Sequence, residues 1–172
     1  MSVRPARPDD LDLIAAIEHM AGERFRDAGL DWIADRPAEA PSAYEPFLAA
    51  GGLFVATSAG EAQDDTPVSF VAVGTVDGQG YVDEISVQPG FGRRGLGDAL
   101  LLAAEDCARA RSQTVLRLTT FRDVPWNAPW YARRGFAVVD PATLGPEMQA
   151  IVRRQADLAA RAPRVAMERP LG

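Results

Sequence analysis

The sequence predicts a mixed α/β fold, an α+β sheet that is mostly antiparallel with helices flanking both faces. Three observations carry that prediction. Apolar strand patterns joined by short polar turns recur from Leu53 to Val87, which reads as an antiparallel meander. From Leu96 the pattern switches to helical spacing and then to another strand, a strand–helix–strand unit. Finally, 172 residues at 47% hydrophobic content suffice to bury a core without disulfide or metal staples. A single domain over residues 1–172 is the expectation for this length.

The elements follow in chain order. Residues 3–7 read as a short strand. Asp9 and Asp10 then offer capping oxygens ahead of Leu11, Ile14, Ile17 and Ala21, whose spacing predicts a first helix. Residues 31–41 read as a loop carrying Trp32, and 42–50 as a short helix. Strands are predicted over 53–57 and 68–76, with the polar stretch 58–67 between them as a hairpin connection. Asp77-Gly78-Gln79-Gly80 makes a second tight turn into a strand over 81–87. After a glycine-rich turn at 92–97, Leu96, Ala99, Leu100, Ala103 and Cys107 mark one face of an amphipathic helix. A strand over 115–120, a short helix over 126–134 and a strand over 136–139 come next. Residues 143–160 read as one helix with Met148, Ile151, Gln155 and Leu158 on a face, and 164–168 as a last strand.

Composition removes several classes of function. One cysteine, Cys107, and one histidine, His19, leave no disulfide framework and no Cys/His metal site, and no metal is expected. All eighteen basic residues are arginine, so lysine Schiff-base chemistry and a P-loop lysine are absent. A net charge of −6 argues against a nucleic-acid binder and mildly favours a cationic substrate. No apolar run is long enough to span a membrane, and the N-terminus lacks the apolar stretch of a signal peptide. A soluble cytoplasmic protein without nucleic-acid or membrane partners is therefore expected, as monomer or homodimer.

The densest chemical signal runs from Ile85 to Leu101, where a strand enters glycines and then opens a helix. N–H groups in a helix's first turn lack acceptors within the helix, and the dipole favours an anion there. Glycines let the backbone approach that anion, and Arg93 and Arg94 add positive charge. A pyrophosphate is the natural guest. Gly90-Phe91-Gly92-Arg93-Arg94-Gly95 formally matches the G-x-G-x-x-G dinucleotide fingerprint of a nucleotide-dependent oxidoreductase. Against it stand Asp83 and Glu84 in the preceding strand, the meander before it, and Thr119-Thr120 where a ribose-binding acid belongs.

The same stretch resembles the GNAT superfamily of N-acetyltransferases, whose signature reads Arg/Gln-x-x-Gly-x-Gly/Ala. Gly95 and Gly97 occupy the two small-residue positions, whereas Gly92 stands where the family carries Arg or Gln. Arg93 or Arg94 is placed to compensate for that departure. A second stretch, Trp126-Asn127-Ala128-Pro129-Trp130-Tyr131 followed by Gly135-Phe136, resembles the family's later motif. Asn127 suits a helix cap, Pro129 its first turn and Gly135 its stop, and Asn127 and Tyr131 share a face. Two motifs in the family's order are more specific than either alone.

The resemblance implies a GNAT-like acyl-CoA N-acyltransferase fold and acetyl-CoA as cosubstrate. It implies that the backbone from Gly92 through Arg93, Arg94, Gly95 and Leu96 to Gly97 holds the pyrophosphate. Ile85 and Val87 would pair with the pantetheine arm, and Asn127 and Tyr131 would contact the coenzyme. An N–H near Val87 would stabilise the oxyanion. Tyr131 is the expected acid for the leaving thiolate; the other reading is a core aromatic with a satisfied hydroxyl. Glu84 is the expected base, directly or through water, with Asp83 the runner-up on the opposite strand face. His19 reads as an ordinary helix residue and Cys107 as a buried small hydrophobe. The acceptor pocket is expected from Phe25, Trp32, Tyr81 and Phe121, with Arg122, and Trp126 at the mouth. The implied reaction moves acetyl from acetyl-CoA directly to a primary amine of a small molecule or peptide. The alternative is a non-catalytic acyl-CoA-binding regulatory domain of the same fold.

Overall fold

The computed structural model describes residues 2–57 and 65–172. β1 (Ser2–Pro5) stops earlier than the predicted 3–7, where Pro5 and Pro8 remove backbone donors. A one-turn 3-10 segment (Pro8–Asp10) leads into α1 (Leu11–Gly22). Asp10 does not cap α1 through its side chain. Its carboxylate instead accepts the Arg7 N–H at 2.7 Å and pairs with Arg4 Nη1 at 2.7 Å. The expected loop at 31–41 contains a one-turn helix, α2 (Asp31–Ala34), which holds Trp32. Four residues are too few to show a period in the sequence.

A 3-10 turn (Pro41–Tyr44) runs into α3 (Glu45–Ala49), and β2 (Leu53–Thr57) and β3 (Pro67–Val76) follow. Most of the predicted polar connection, 58–64, lies outside the described residues. β4 (Gln79–Val87), α4 (Leu96–Ala110) and β5 (Val115–Phe121) fall where the patterns put them. α5 (Ala128–Ala132) and β6 (Ala137–Val139) are shorter than expected. The helix predicted over 143–160 is instead a 3-10 turn (Pro141–Thr143) and two helices, α6 (Pro146–Arg154) and α7 (Ala156–Arg161). They break at Gln155, with φ −93° and ψ 6°, where the side-chain oxygen accepts Arg164 Nε at 3.2 Å. β7 (Arg164–Pro170) closes the chain's secondary structure.

The seven strands form one sheet in the order β1-β2-β3-β4-β5-β7-β6, flanked by helices. The β1/β2, β2/β3, β5/β7 and β6/β7 pairs are antiparallel. β4 and β5 are parallel, with Gly80 opposite Leu116 and Tyr81 opposite Arg117. The mixed, mostly antiparallel class expected from the sequence is the class observed.

Contacts divide the chain into two compact units. The first comprises Met1–Gly74 and Glu84–Cys107. Its core gathers Ile14 and Ile17 of α1 with Tyr44, Leu53, Val55 and Phe70. Tyr44 meets Phe70 edge to face, with ring centroids 5.2 Å apart. Cys107 is buried in this unit, its Sγ 3.7 Å from the Gly51 carbonyl oxygen.

The second unit comprises Thr75–Asp83 and Ala108–Gly172. Tyr81, Met148, Ile151 and Ala166 form a core cluster here. Asp77, at φ 48°, accepts the N–H groups of Glu147 and Met148 at 3.0 Å each. The Glu147 carboxylate accepts the Asp77 N–H in return. This reciprocal cap fixes the start of α6. A Cβ at Gly80 would lie 2.9 Å from the Ala108 Cβ and 3.0 Å from Leu116 Cδ1, so glycine permits this close approach.

Candidate active site

In the first unit, β4 ends in Glu84, Ile85, Ser86 and Val87. Glu84, Ile85 and Val87 are half-buried and Ser86 is buried. Ser86 Oγ donates to Glu84 Oε1 at 2.6 Å, a contact between same-face neighbours two residues apart. Strand alternation in the sequence is the signal that places the two on one face. Tyr44 is buried and donates its hydroxyl hydrogen to Glu18 Oε2 at 3.0 Å. Burial, then the Glu18 and Glu84 carboxylates, push the Tyr44 hydroxyl pKa well up. Burial likewise raises the Glu18 carboxyl, against the hydrogen bond from Tyr44. Tyr44, bonded to Glu18, thus lies within the electrostatic reach of Glu84, a relation that no spacing in the sequence reveals.

Beyond β4, a 3-10 turn (Pro89–Phe91) leads through exposed Gly92, Arg93, Arg94 and Gly95 to buried Leu96 and half-buried Gly97. Arg93 and Gly95 take left-handed φ values of 61° and 79°. These values bend the chain sharply into α4, and Gly95 carries its share without a Cβ penalty. The Arg94 guanidinium lies 5.3 Å from the Phe91 ring centroid. The Ala99 N–H bonds the Gly95 carbonyl at 3.0 Å, so the N–H groups of Leu96, Gly97 and Asp98 precede the helical ladder. A Cβ at Gly90 or Gly95 would meet nothing within 4 Å. An open, arginine-bearing turn at the start of a 15-residue helix fits a pyrophosphate. Phe25 and Trp32 are half-buried in this unit, and His19 is exposed on α1.

In the second unit, Asn127 precedes α5 with φ −110° and ψ −117°, and its side chain makes no cap hydrogen bond. The side-chain cap expected from the sequence is not formed; instead the Asn127 carbonyl accepts the Trp130 and Tyr131 N–H groups at 2.8 and 3.1 Å. Its backbone geometry leaves the capping task to the main chain. Tyr131 is buried, with its ring edge to face against Trp130 at 4.9 Å and Phe136 at 5.5 Å. Tyr81 is buried and shares a 3.1 Å hydrogen bond with Thr119 Oγ1, and burial pushes its hydroxyl pKa up. Phe121 is buried beneath the Arg164 guanidinium, 4.5 Å from its centroid. Trp126 is half-buried, and Asp83 is exposed. Arg122 is exposed and engages its neighbour Asp123 at 2.9 Å. Among the described residues, no group of three or more His, Cys, Asp or Glu is arranged to hold a metal. Nor is any helix among them long and apolar enough to cross a membrane.

The family model described as "Acetyltransferase (GNAT) family" matches residues 16–136, more than half of the chain. Solved structures share the fold. N-acetylglutamate synthase from Neisseria gonorrhoeae, complexed with coenzyme A and N-acetyl-glutamate, is 20% identical with a TM-score of 0.70. That match covers 99% of this chain but only 35% of the synthase. Rv2747 from Mycobacterium tuberculosis, in complex with CoA, is 17% identical with a TM-score of 0.70, and the match covers 100% of both chains. The ribosomal-protein-S18-alanine N-acetyltransferase from Escherichia coli is 20% identical with a TM-score of 0.63. There the match covers 99% of this chain and 94% of the enzyme.

Proposed function

This chain belongs to the acetyltransferase (GNAT) family, and from that premise we propose that it moves acetyl from acetyl-CoA directly to a primary amine of a small molecule or peptide. The observation that carries the reading is the turn from Val87 into α4, with left-handed Arg93 and Gly95 and two arginines at a helix start. The backbone from Gly92 to Gly97 holds the coenzyme's pyrophosphate, with Arg93 and Arg94 standing in for the side chain that Gly92 lacks. Ile85 and Val87 pair with the pantetheine arm, and Asn127 contacts the coenzyme. Two of the solved structures carry coenzyme A, one of them together with N-acetyl-glutamate, and the third is named as an alanine N-acetyltransferase, which supports an amine acceptor.

The amine nitrogen attacks the thioester carbonyl carbon, forming a C–N bond and an oxyanion that a backbone N–H near Val87 stabilises. Collapse breaks the C–S bond. Tyr131 gives its hydroxyl proton to the departing thiolate, and Glu84, directly or through water, takes the proton lost by the amine nitrogen. Proton exchange with solvent resets both groups. Phe25, Trp32, Tyr81, Phe121 and Trp126 are the residues proposed to contact the acceptor.

Tyr131→Phe tests the acid. It is expected to keep coenzyme affinity and lower kcat at least about tenfold. Unchanged kcat at saturating substrates removes Tyr131 from the chemistry. Gly92 at the Arg/Gln position favours a second reading, a non-catalytic acyl-CoA-binding domain. Coenzyme binding without turnover across a broad amine panel would select that reading.

A further inference from the structure

Tyr131 belongs to a closed circuit of contacts made within the second unit. The Trp130 and Tyr131 rings cross at 85° and the Tyr131 and Phe136 rings at 69°. The Arg134 guanidinium lies 3.7 Å from the Trp130 centroid, and Arg169 lies 5.8 Å from that of Phe136. Arg134 Nη1 donates to the Trp130 carbonyl at 3.1 Å, and Arg169 Nη1 donates to the Arg134 carbonyl at 2.9 Å. From Arg134 the contacts run through Trp130, Tyr131, Phe136 and Arg169 back to Arg134. Gly135, at φ 84°, makes the turn, and a Cβ there would touch the Arg169 stem at 3.5 Å.

Edge-to-face aromatic contacts and a cation over a ring are directional, so each member restricts the tilt of the next. Proton donation to a sulfur demands that restriction: misplacing a reacting group by about 1 Å can cost on the order of a hundredfold in rate. Arg169 lies on β7, 35 positions from the carbonyl it holds and outside the family-matched span 16–136.

We propose that Arg169 is a positioning residue for Tyr131, holding Phe136 and the α5 turn so that the phenol keeps one orientation. The proposal rests on the reading of Tyr131 as the acid. Arg169→Ala is expected to lower kcat about tenfold with KM for acetyl-CoA unchanged, and Arg169→Lys, which keeps a cation and a donor, to retain most activity. In a Tyr131→Phe background, Arg169→Ala is expected to cost nothing further, since both changes remove one function. An equal loss of kcat in both backgrounds overturns the proposal.

A second measurement does not need turnover. The protein has three tyrosines, so the Tyr131 ζ-carbon resonance is assignable in 13C-tyrosine-labelled protein from its disappearance in Tyr131→Phe. That resonance is expected to move or broaden in Arg169→Ala and to return in Arg169→Lys. An unmoved resonance overturns the positioning role. If Tyr131→Phe alone leaves kcat intact, the acid role fails separately, and the resonance alone decides the positioning claim.

Discussion

Tyr44 donates its hydroxyl hydrogen to Glu18 Oε2 at 3.0 Å, joining the 3-10 turn before α3 to the face of α1. The hydroxyl is buried in the first unit's core beside Phe70, so the hydrogen bond satisfies a donor that would otherwise be costly to bury. The arrangement also keeps a carboxyl in a place that disfavours its charge.

Burial raises the Glu18 pKa, so the folded state binds this proton more tightly than the unfolded chain. Its contribution to stability is therefore full below the unfolded value, about 4.3, and is lost as pH rises through the raised folded value. Glu18→Gln keeps an oxygen that accepts from Tyr44 and removes the charge. The variant is expected to lose less stability than the parent between acidic and neutral pH, and to equal or exceed it at neutrality. Urea unfolding across that range reads this directly; superimposable pH profiles would remove Glu18 as the source.

Asp10 behaves oppositely. Burial alone would raise its pKa, but hydrogen bonds from Arg4 and the Arg7 N–H outweigh burial and hold it below the usual carboxylate range. Its stabilisation is present above the unfolded value and disappears as pH falls through the folded one. Asp10→Asn is expected to cost about 2 kcal/mol at neutral pH, as for a lost hydrogen bond to a charged, mostly buried partner. The difference between the two proteins is expected to shrink as pH falls through that lowered folded value. A constant difference at every pH would mean that packing, not charge, is responsible.

Gly145 is expected to tolerate no side chain while Asp77 caps α6, because a Cβ there overlaps the Asp77 carboxylate. Gly145→Ala should cost about 1 to 2 kcal/mol, the range of a lost helix cap. Asp77→Ala removes both the cap and the overlap. The double variant is therefore expected to fall short of the summed single losses. Additive losses in chemical denaturation would show that the two positions do not compete.

Much of this was legible in the sequence. The apolar spacing from Leu96 to Cys107 belongs to α4, where Leu96, Leu100 and Cys107 are buried and Ala99 and Ala103 half-buried. The glycine turn before it was readable because left-handed backbone favours glycine, although Arg93 shares that conformation. The break at Gln155 was not readable, since glutamine is a good helix former and its partner Arg164 lies on β7. The place of β7 between β5 and β6 depends on non-local pairing that no local pattern encodes. For the same reason no local pattern marks Arg169, which meets Phe136 through the fold and not through spacing. Asn127 suits a helix cap by residue type, but its backbone angles, which no sequence pattern gives, leave the side chain out of the cap.

Thermal unfolding with acetyl-CoA, with NADPH and with neither tests whether this turn binds the coenzyme. Ligand at about one hundred times its dissociation constant adds roughly 2.7 kcal/mol of stability. A rise in Tm with acetyl-CoA alone is the predicted result. A rise with NADPH alone, or none with acetyl-CoA at saturating concentration, would contradict it.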